Sequence, residues 1–599
     1  MSETQVVQAI AALNRNQRDA YDEPGNTILL AGPGSGKTAT LVLRVARLLD
    51  ETPAPRGVAC LTYSTEAARE FERRLRDLGI RSSGRLFTGT VHAFCLSQIL
   101  RPFSYLLAPD EVFLAQSEIA AEAELATARK KGLEAAGIND DQNWWRSTLE
   151  VYRRLALIDR SLAAQLDARL PEVCTGYEAE LRRIGKIDFD DIILGALSLV
   201  SKSKHVGRSL VAKYPWLVID EYQDLGLALH RIVTTLVDTH GAQIFAVGDP
   251  DQSIYAFSGA RPEFLDELAN RKDVRVERLE LNYRCRQEII DASLLVLQPE
   301  TDRNFHAVQT DSRGELIFRP CPAGLEEQAN YVVATVQAAI GAGVSPADIA
   351  VLGSRWEDLY AFEQPLTDAG VPYRLVRGRN YRATPLTMWI EDLAAWCAGG
   401  WKKSRPRMVE LMTGWQRALN ACYGVQPHAE RLTRDVHLYG LASTVRKPDM
   451  QVGEWISVVS EGLKLESLIG RRDVVPVRQR HDLDQLAAMI ATLRANPHSL
   501  QTLAEFSGTD RNKIILQSLH GSKGLEYSVV FMIGLESGVI PRYRENPVEA
   551  RRLFYVGMTR ARREVHLLWS GFYVTSRRKT LVYGPSPFLL ELQQRLKRS

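Results

Sequence analysis

Three apolar runs in the chain are each followed at once by a polar loop. They are ILLA at 28–31, WLVI at 216–219 and QIFAV at 243–247. Short continuous apolar runs are typical of buried parallel strands, which are covered on both faces. In parallel α/β sheets, ligands bind outside the carboxyl ends of the strands. The pattern therefore predicts one α/β layer with a binding site formed by the three loops.

The loop after the first run, GPGSGKT, matches the phosphate-loop pattern G-x-x-x-x-G-K-[ST]. The amphipathic stretch LVLRVARLL follows it and predicts the helix that this motif requires. Glycines let backbone N–H groups curl around phosphates at a helix N-terminus. A chance glycine-rich turn is the alternative, but strand, loop and helix are all present. The predicted ATP-binding residues of this loop are Gly32, Pro33, Gly34, Ser35, Gly36, Lys37 and Thr38.

Phosphate chemistry at this site needs a cation, a metal ligand and a base. We expect the Lys37 ammonium to reach the terminal phosphates of ATP and the Thr38 hydroxyl to hold Mg²⁺. The second run ends in adjacent acids, of which Asp220 would bind Mg²⁺ and Glu221 would polarise the attacking water. A lone acidic pair is more often a solvated strand end. The phosphate loop upstream favours a catalytic role for Lys37, Asp220 and Glu221.

The loop after the third run, VGDPDQSIYAFSGA at 247–260, combines two kinds of chemistry. The Gln252 amide is placed where it could touch the γ-phosphate. Tyr255 and Phe257 follow among Gly and Ser residues that give them little to pack against. Aromatic faces stack on nucleic-acid bases with about 1–3 kcal/mol per base and tolerate any sequence. Core packing is the commoner fate of a single aromatic residue, and we expect it for Phe94.

Composition narrows the class of protein. The 599 residues predict roughly four domains, and 45% hydrophobic with 25% charged residues is typical of a globular protein. No apolar run approaches the length of a membrane helix, and the N-terminus has no signal region. Seven scattered cysteines without a CxxC pair argue against disulfides, zinc or iron–sulfur clusters and fit a reducing cytoplasm. With a net charge of +3, any surface for a polyanion must be local.

Two long segments depart from the pattern of strands and loops. Residues 95–189 are rich in Ala, Leu, Glu and Arg and predict helices, including one over 118–137. Residues 377–507 contain basic stretches at 401–412 and 470–481. The second stretch would either contact duplex phosphates or form a solvated basic loop.

The motifs and their order resemble the UvrD/Rep family of superfamily 1 DNA helicases. Further blocks resemble the family's glutamine motif, motifs Ia and Ib, the block before the acidic strand, and motifs IV, IVa, V and VI. In chain order they are LNRNQRDA (13–20), LTYSTEAAREFERRL (61–75), TGTVHAFC (88–95), IDFDDII (187–193), LELNYRCRQEII (279–290), IAVLGSRWEDLYAFEQPLTDAGVPYRL (349–375), IILQSLHGSKGLEYSVVFMIGLESGVIP (514–541) and EARRLFYVGMTRARREVHLLW (549–569).

The resemblance implies an α/β fold with two RecA-like phosphate-loop NTPase core domains. Each core domain has a parallel sheet and carries a mainly helical insertion. ATP with Mg²⁺ is expected between the two. The predicted boundaries are 1–94 plus 190–268 for the first core domain, 95–189 for its insertion, 269–376 plus 508–599 for the second core domain, and 377–507 for a compact second insertion.

The resemblance also assigns nucleotide contacts outside the phosphate loop. Gln17 would read the adenine edge, and Tyr283 would stack on adenine. Arg284 and Arg560 match the family's arginine fingers, so they join Gln252 as candidate catalytic residues that contact the transferred phosphoryl group. A solvated surface is expected instead for Arg551, Arg552, Arg562 and Arg563.

Motif V and the DNA path supply the remaining assignments. Glu526 would accept a hydrogen bond from the ribose, and Gln517 and His520 would link the nucleotide to the nucleic acid. The aromatic candidates would stack on bases, whereas the Thr and His candidates near the first core domain would contact phosphate or sugar. The predicted DNA-binding residues are Thr62, Tyr63, Thr90, His92, Tyr255, Phe257 and His520.

Two departures from the family pattern concern ligand affinity. Family members usually carry Arg directly after GKT, where this chain has Ala39. The family loop usually reads YxWRGA, whereas here Phe257 replaces Trp and Ser258 replaces Arg. A smaller ring and a lost cation predict a weaker grip on the strand. Neither change removes a catalytic group.

The resemblance predicts an ATP-dependent helicase that moves 3′→5′ on single-stranded DNA, since HGSKGLE resembles the 3′→5′ branch. Single-stranded DNA and single–double-strand junctions are the expected partners, and RNA is less favoured. Three alternatives stay open: a translocase without useful unwinding, an ATP-gated subunit of a nuclease complex in phage defence, and a regulator without turnover. The intact catalytic set argues against the last. We expect a cytoplasmic, nucleoid-associated prokaryotic protein, monomeric or dimeric, with a nuclease as the candidate protein partner.

Overall fold

The computed structural model of the chain divides into two compact units. The first contains Met1–Ile317, Glu536–Val565 and Tyr583–Ser599, and the second contains Phe318–Leu535 and His566–Val582. The four-part domain division expected from the sequence stays a prediction. The structure describes residues 3–63, 65–80, 84–107, 117–120, 122–138, 144–156, 166–256, 259–297, 303–376, 384–402, 407–424, 427–472, 474–475, 477–494, 500, 512–543, 545–574 and 580–598.

A six-stranded sheet organises the first unit, and all its neighbouring strands are parallel. Successive side chains of a strand point to opposite faces. Thus Ile244 and Ala246 pack in one apolar cluster, and Phe245 and Val247 pack in another. The three apolar runs are strands of this one sheet, as predicted, and they lie next to one another in it. The strand order is Leu86–Thr90, Val58–Thr62, Trp216–Ile219, Gln243–Gly248, Thr27–Ala31 and Arg275–Leu279.

Helices of the first unit cover both faces of this sheet. A π-helix spans Cys95–Leu100, and short 3₁₀ turns span Ser104–Leu106, Tyr222–Asp224 and Pro250–Gln252. The α-helices are Glu3–Ala11, Arg15–Asp22, Lys37–Glu51, Thr65–Asp77, Val91–Phe94, Glu122–Ala135, Trp144–Ala156, Leu170–Arg183, Phe189–Lys202, Lys204–Lys213, Leu227–Asp238, Glu263–Ala269, Gln287–Val296, Pro547–Met558 and Pro587–Leu596.

Helices occupy most of the described part of 95–189, as predicted, with one difference over 118–137. The helix begins only at Glu122, because Glu118–Ile119 pairs in parallel with Lys186–Ile187 instead. The Lys186 ammonium lies 2.8 Å from a Glu118 carboxylate oxygen, which supports this register. A second short parallel pair joins Leu281–Asn282 to His306–Ala307.

Buried ion pairs tie helix Trp144–Ala156 to the start of helix Phe189–Lys202. The side chain of Arg153 is only 2% exposed and pairs with both Asp188 and Asp191. Burial raises the pKa of Asp191 to about 7, and Arg153 opposes that rise. Removing one member would leave an uncompensated buried charge, so this network fixes the block that precedes the acidic strand.

The second unit contains most of another six-stranded sheet. Ile349–Gly353 lies between Ile514–Ser518 and Tyr527–Met532, and both pairs are parallel. Tyr373–Val376 adds to Ile514–Ser518, also in parallel. The two sheets and the helices around them confirm the predicted α/β fold class. The strand order is Glu315–Pro320, Ala561–Trp569, Tyr527–Met532, Ile349–Gly353, Ile514–Ser518 and Tyr373–Val376, and a separate antiparallel hairpin pairs Phe572–Val574 with Thr580–Val582.

Helices over 385–494 share one apolar cluster in the second unit, which includes Trp389, Trp415 and Trp455. None of the helices in the described part of the chain combines the length and the apolar character that a membrane crossing requires. The α-helices of this unit are Leu325–Gly341, Trp356–Tyr360, Glu363–Asp368, Pro385–Cys397, Met408–Tyr423, His428–Thr444, Val452–Gly462, Leu465–Ile469 and Val477–Arg494, with 3₁₀ turns at Pro346–Asp348, Gly400–Lys402 and His520–Ser522.

Candidate functional site

The loop 32–38 has the backbone geometry of an anion-binding loop. Gly34 and Gly36 have φ angles of 69° and 84°, values that residues with a side chain rarely adopt. A Cβ on Gly34 would lie 2.5 Å from the Cβ of Arg284. The helix that starts at Lys37 has Gly36 as its N-cap, which offers no side-chain acceptor to the first turn. Its N–H groups therefore suit an anionic ligand.

The Lys37 ammonium is the clearest indication that this loop binds an anion. Its Nζ atom is buried and has no hydrogen-bond partner, and its nearest carboxylate oxygen, on Glu221, is 3.8 Å away. A buried ammonium without hydrogen bonds costs free energy. A phosphate oxygen in the loop would supply the bonds that Lys37 lacks, so this observation fits an ATP site.

The acidic strand end places Asp220 and Glu221 beside the phosphate loop. The Asp220 N–H donates to the carbonyl of Leu61 at 2.9 Å, which continues the sheet ladder. The Glu221 N–H donates to the Asp220 carboxylate, also at 2.9 Å. Glu221 has a φ of 53°, a left-handed conformation that is uncommon for a residue with a side chain. Such strain tends to cluster at functional sites.

A chain of hydrogen bonds connects Glu221 to Arg560 through the interior of the first unit. The Gln223 amide donates to the Glu221 carboxylate and accepts from the Asp249 N–H at 3.0 Å. The Gln252 amide donates to the Asp249 carboxylate at 2.6 Å. Its oxygen is 3.5 Å from an Arg560 nitrogen, which donates to it. Gln223 and Asp249 were not predicted as site residues. Gln223 stands in the same DEYQD motif as the two acids, so its position was the available signal.

Arg284 and Arg560 lie together against the turn at Thr559. An Arg284 nitrogen donates to the Thr559 carbonyl at 3.3 Å. Arg560 is 1% exposed and donates to the Val556 carbonyl at 2.8 Å and to the Thr559 hydroxyl at 3.1 Å. Burial, and next the charge of Arg284, lower the pKa of Arg560 to about 9. Since it stays cationic at neutral pH, an anion beside the pair would be strongly attracted.

Asn282 fastens this arginine segment to the phosphate loop. Its amide donates to the Pro33 carbonyl at 2.8 Å. Its oxygen accepts from the N–H groups of Arg284 at 2.8 Å and Cys285 at 2.9 Å. The sequence analysis did not identify Asn282, although it directly precedes Tyr283 in the quoted motif. Its side chain is therefore a clamp that keeps Arg284 beside the glycine loop.

Gln17 and Tyr283 lie on the same side of the phosphate loop. The Gln17 amide donates to the Ser35 carbonyl at 3.1 Å and accepts from the Asn14 N–H at 3.1 Å. The Tyr283 hydroxyl accepts from the Asn14 amide at 2.9 Å, and the Tyr283 N–H donates to the Gly34 carbonyl at 2.8 Å. Tyr283 is 38% exposed, so it is accessible to a ligand.

The aromatic candidates for DNA binding contact each other. Tyr63 and Tyr255 are stacked, with ring centroids 5.7 Å apart and an interplanar angle of 21°. The residues next to Tyr255 in the sequence offer its ring little to pack against, whereas in the fold the ring of Tyr63 stacks on it. Phe257 and Ser258 lie outside the described residues. Phe94 is buried in the core, as predicted.

The polar candidates for DNA binding differ in exposure. Thr62 is only 1% exposed, at the end of its strand. The Thr90 hydroxyl caps the short helix Val91–Phe94 by accepting from the Ala93 N–H at 3.2 Å. The ring of His92 packs edge-on against Phe189, with centroids 5.4 Å apart. Thr90 and His92 are partly exposed, so they remain accessible to a ligand.

Three predicted residues belong to the second unit. Gln517 donates to the Tyr527 hydroxyl at 2.7 Å, and its own amide oxygen is buried without a hydrogen-bond partner. His520 begins the 3₁₀ turn His520–Ser522 and is partly exposed, and Glu526 is exposed. Gln517 therefore has an unused acceptor at the end of its strand.

Thr38 and Asp220 offer the oxygen ligands that Mg²⁺ prefers, a hydroxyl and a carboxylate. Among the described residues, no group of three or more His, Cys, Asp or Glu side chains could hold a metal ion.

One predicted surface arginine is instead a structural link. Arg551 donates to the Val296 carbonyl at 3.1 Å and to the Glu591 carboxylate at 2.8 Å, and its side chain is only 16% exposed. The expectation of a solvated side chain was wrong here, because it contacts the end of helix Gln287–Val296 and the helix Pro587–Leu596. Arg563, with its side chain 52% exposed, is solvated as expected.

Comparison with known proteins decides the family. A model of the UvrD/REP helicase N-terminal domain matches residues 13–273, and a model of the UvrD-like helicase C-terminal domain matches residues 473–571. The chain belongs to the UvrD-like helicase family. This confirms the family predicted from the motifs, and with it the assignment to the ATP-hydrolysing helicases.

Individual relatives of this UvrD-like helicase are named ATP-dependent DNA helicases. UvrD2 of Mycobacterium tuberculosis is 27% identical over 94% of this chain and 79% of its own length. PcrA of Leuconostoc citreum is 26% identical over 98% of this chain and 85% of its own length. Rep of Escherichia coli is 27% identical over 97% of this chain and 94% of its own length.

Proposed function

We propose that this UvrD-like helicase hydrolyses ATP with Mg²⁺ in response to single-stranded DNA and uses the energy to move 3′→5′ and separate duplexes. The observation that carries the proposal is the buried Lys37 Nζ without hydrogen bonds, at the mouth of a glycine loop that Arg284 also contacts. The triphosphate of ATP would supply hydrogen-bond acceptors to both the Lys37 ammonium and the Arg284 guanidinium.

The catalytic proposal gives each polar side chain one task. Lys37 and the loop N–H groups bind the terminal phosphates, and Arg284 and Arg560 neutralise the charge that develops on the transferred group. Glu221 orients and polarises the attacking water. Thr38 and Asp220 would hold Mg²⁺, which supplies further neutralisation of phosphate charge when bound.

Recognition of the adenine of ATP in this proposal combines ring stacking with a contact to the edge of the base. The half-exposed Tyr283 ring stacks on adenine, and Gln17 contacts its edge from a position fixed by Asn14 and Ser35. Ala39 takes the place of the usual arginine in this region. We therefore expect a weaker nucleotide affinity than the family pattern would give.

Coupling to DNA is proposed to run through the loop 249–256. Its first part faces the nucleotide through Gln252, and its last described part carries Tyr255 in a stack with Tyr63. Only a few residues separate the two functions, so a shift of the Gln252 side chain on hydrolysis can reach the stacked pair. Single-stranded DNA would add bases to this aromatic stack.

The proposed function is tested by measuring ATP hydrolysis with single-stranded DNA, with blunt duplex and with RNA, alongside unwinding of tailed duplexes. We expect single-stranded DNA to stimulate hydrolysis most. Strong hydrolysis without unwinding would favour the translocase alternative. Equal rates with and without nucleic acid would contradict DNA-coupled hydrolysis.

Direction of movement is a separate prediction, supported by motif V, which reads HGSKGLE. A duplex with a 3′ single-stranded tail should be unwound, and the same duplex with a 5′ tail should remain intact under the same conditions. Gel analysis of the displaced labelled strand checks this. Preferential unwinding of the 5′-tailed duplex would overturn the polarity without affecting the ATP site.

Replacing Tyr255 by Ala should raise the DNA concentration needed for half-maximal ATPase stimulation about tenfold. One stacking partner is lost, and base–aromatic stacking contributes about 1–3 kcal/mol. Tyr255→Phe should restore stimulation, because the ring is kept. Tyr105→Ala is the matched control, since this tyrosine is 67% exposed and has no predicted role. An unchanged DNA requirement in Tyr255→Ala would exclude the stacking role.

A further inference from the structure

The segment 303–309, which we name the strap, runs alongside the nucleotide-facing part of the first unit. Its His306–Ala307 portion pairs in parallel with Leu281–Asn282, directly before Tyr283. The Val308 N–H donates to the Asn282 carbonyl at 2.9 Å. None of the motifs singled out in the sequence includes this segment, yet it lies beside the clamp that holds the arginine segment to the phosphate loop.

One end of the strap rests on the phosphate loop. A Cβ built on Gly32 would lie 2.5 Å from the Cζ atom of Phe305, so the ring occupies the space of a side chain at this position. The Gln287 side chain holds the strap backbone there from both sides. Its amide donates to the Phe305 carbonyl at 3.0 Å, and its oxygen accepts from the Ala307 N–H at 2.8 Å.

The other end of the strap reaches the turn that carries Gln252. Arg303 forms a close two-pronged ion pair with Asp251, through separate guanidinium nitrogens and both carboxylate oxygens. The two side chains are 19% and 10% exposed. Asp251 also donates its N–H to the Asp249 carboxylate at 3.0 Å, the same carboxylate that accepts from Gln252. The Arg303–Asp251 pair therefore restrains the turn that aims Gln252 at Arg560.

We propose that the strap is a positioning element in which Arg303 fixes the 249–252 turn while Phe305 rests on the phosphate loop, so that Gln252 is held in register with the bound phosphates. Arg303 is a positioning residue, since it acts through Asp251 and contacts no reacting group. This inference rests on the proposed ATP hydrolysis and adds a residue that the motifs do not contain.

The charged surroundings of Asp251 supply a pH readout for this role. The groups that face it are Asp249 on the same turn, Arg303 on the strap, and Arg552 and Tyr555 on helix Pro547–Met558. Burial, and next Asp249, raise the pKa of Asp251 to about 7, and Arg303 and Arg552 oppose that rise. Removing the Arg303 charge raises this pKa further. The acid limb of the ATPase pH profile should then move to higher pH.

The test compares Arg303→Gln, Arg303→Lys, Asp251→Asn and the double variant Arg303→Gln/Asp251→Asn. Arg313→Gln is the matched control, an exposed arginine just beyond the strap. ATPase rates are measured with saturating single-stranded DNA from about pH 5 to about pH 9, two pH units on either side of neutral. Thermal unfolding of each variant checks that it is folded.

For Arg303→Gln we expect kcat to fall about 10- to 100-fold with little change in the KM for ATP, because misplacing a catalytic group acts on the transition state. Arg303→Lys should recover part of the loss. The double variant should be no slower than Arg303→Gln, since both changes break one interaction. An unchanged kcat and pH profile in Arg303→Gln, or losses that simply add in the double variant, would overturn the proposal.

Hydrogen exchange of the free protein separates this proposal from the proposed function. Arg303→Gln should speed amide exchange in 249–256 and leave the loop 32–38 unchanged, whether or not the protein hydrolyses ATP. Absence of hydrolysis in the unmodified protein would remove the proposed function. Unchanged exchange in 249–256 would by itself refute the strap.

Discussion

Replacing Lys37 by Met should lower kcat for ATP hydrolysis by about 10³-fold, since donors aimed at developing phosphate charge are the largest single contributions to such reactions. The free energy of unfolding should not fall. The Lys37 Nζ is buried without a hydrogen bond, and the nearest carboxylate oxygen, on Glu221, is 3.8 Å away, beyond hydrogen-bond distance. Removing an unsatisfied buried ammonium relieves a desolvation cost of about 1–3 kcal/mol.

A substitution that lowers kcat without lowering the free energy of unfolding distinguishes a ligand-binding lysine from a structural one. Urea unfolding and steady-state hydrolysis with single-stranded DNA measure the two quantities on the same samples. Lys272→Met is the matched control, an exposed lysine of the same unit, and neither quantity should change in it. A destabilised Lys37→Met with activity in proportion to its folded fraction would show that Lys37 supports the fold and not phosphate.

The strands around the site could be predicted because each is a short, fully apolar run. Ile28, Val218 and Ala246 are all completely buried in adjacent strands of one sheet. Local composition is sufficient for such strands, because burial on both faces demands apolar residues at every position. The loops that follow these strands meet at one edge of the sheet because the strands are parallel. The order of the motifs therefore indicated where the candidate site lies.

Contacts between distant polar residues could not be predicted in the same way. Gln252 and Arg560 are 308 residues apart, and their hydrogen bond depends on how the helix Pro547–Met558 packs on the turn Pro250–Gln252. Arg560 and Arg551 stand in one basic motif. Only the family resemblance separated them, and it did not predict that Arg551 is partly buried. Glu118–Ile119 leaves the predicted helix because its partner strand lies far along the chain. These differences arise from tertiary packing, which overrides local propensity.

Replacing Arg560 by Lys should reduce kcat about 10³-fold, the lower end of the effect of removing an arginine finger. Lysine keeps the positive charge but presents a single ammonium group, so it cannot reproduce the geometry of the guanidinium. In the present fold that guanidinium donates simultaneously to Val556, Thr559 and Gln252. We expect the KM for ATP to change much less than kcat, because the contact strengthens as charge develops on the transferred phosphoryl group.

The charge of the neighbouring Arg284 allows a second test of whether Arg560 binds the nucleotide. Burial and Arg284 lower the pKa of Arg560, so the cationic pair is unfavourable until an anion lies beside it. Arg560→Gln should therefore leave the unfolding free energy of the ligand-free protein equal or higher and should weaken its stabilisation by a nonhydrolysable ATP analogue. Arg563→Lys, three residues further along and with its side chain 52% exposed, serves as control and should behave like the unmodified protein. The proposed role would be excluded if the analogue stabilised Arg560→Gln as much as the unmodified protein and kcat were normal. Arg560 would then contribute to packing only, without contacting the nucleotide.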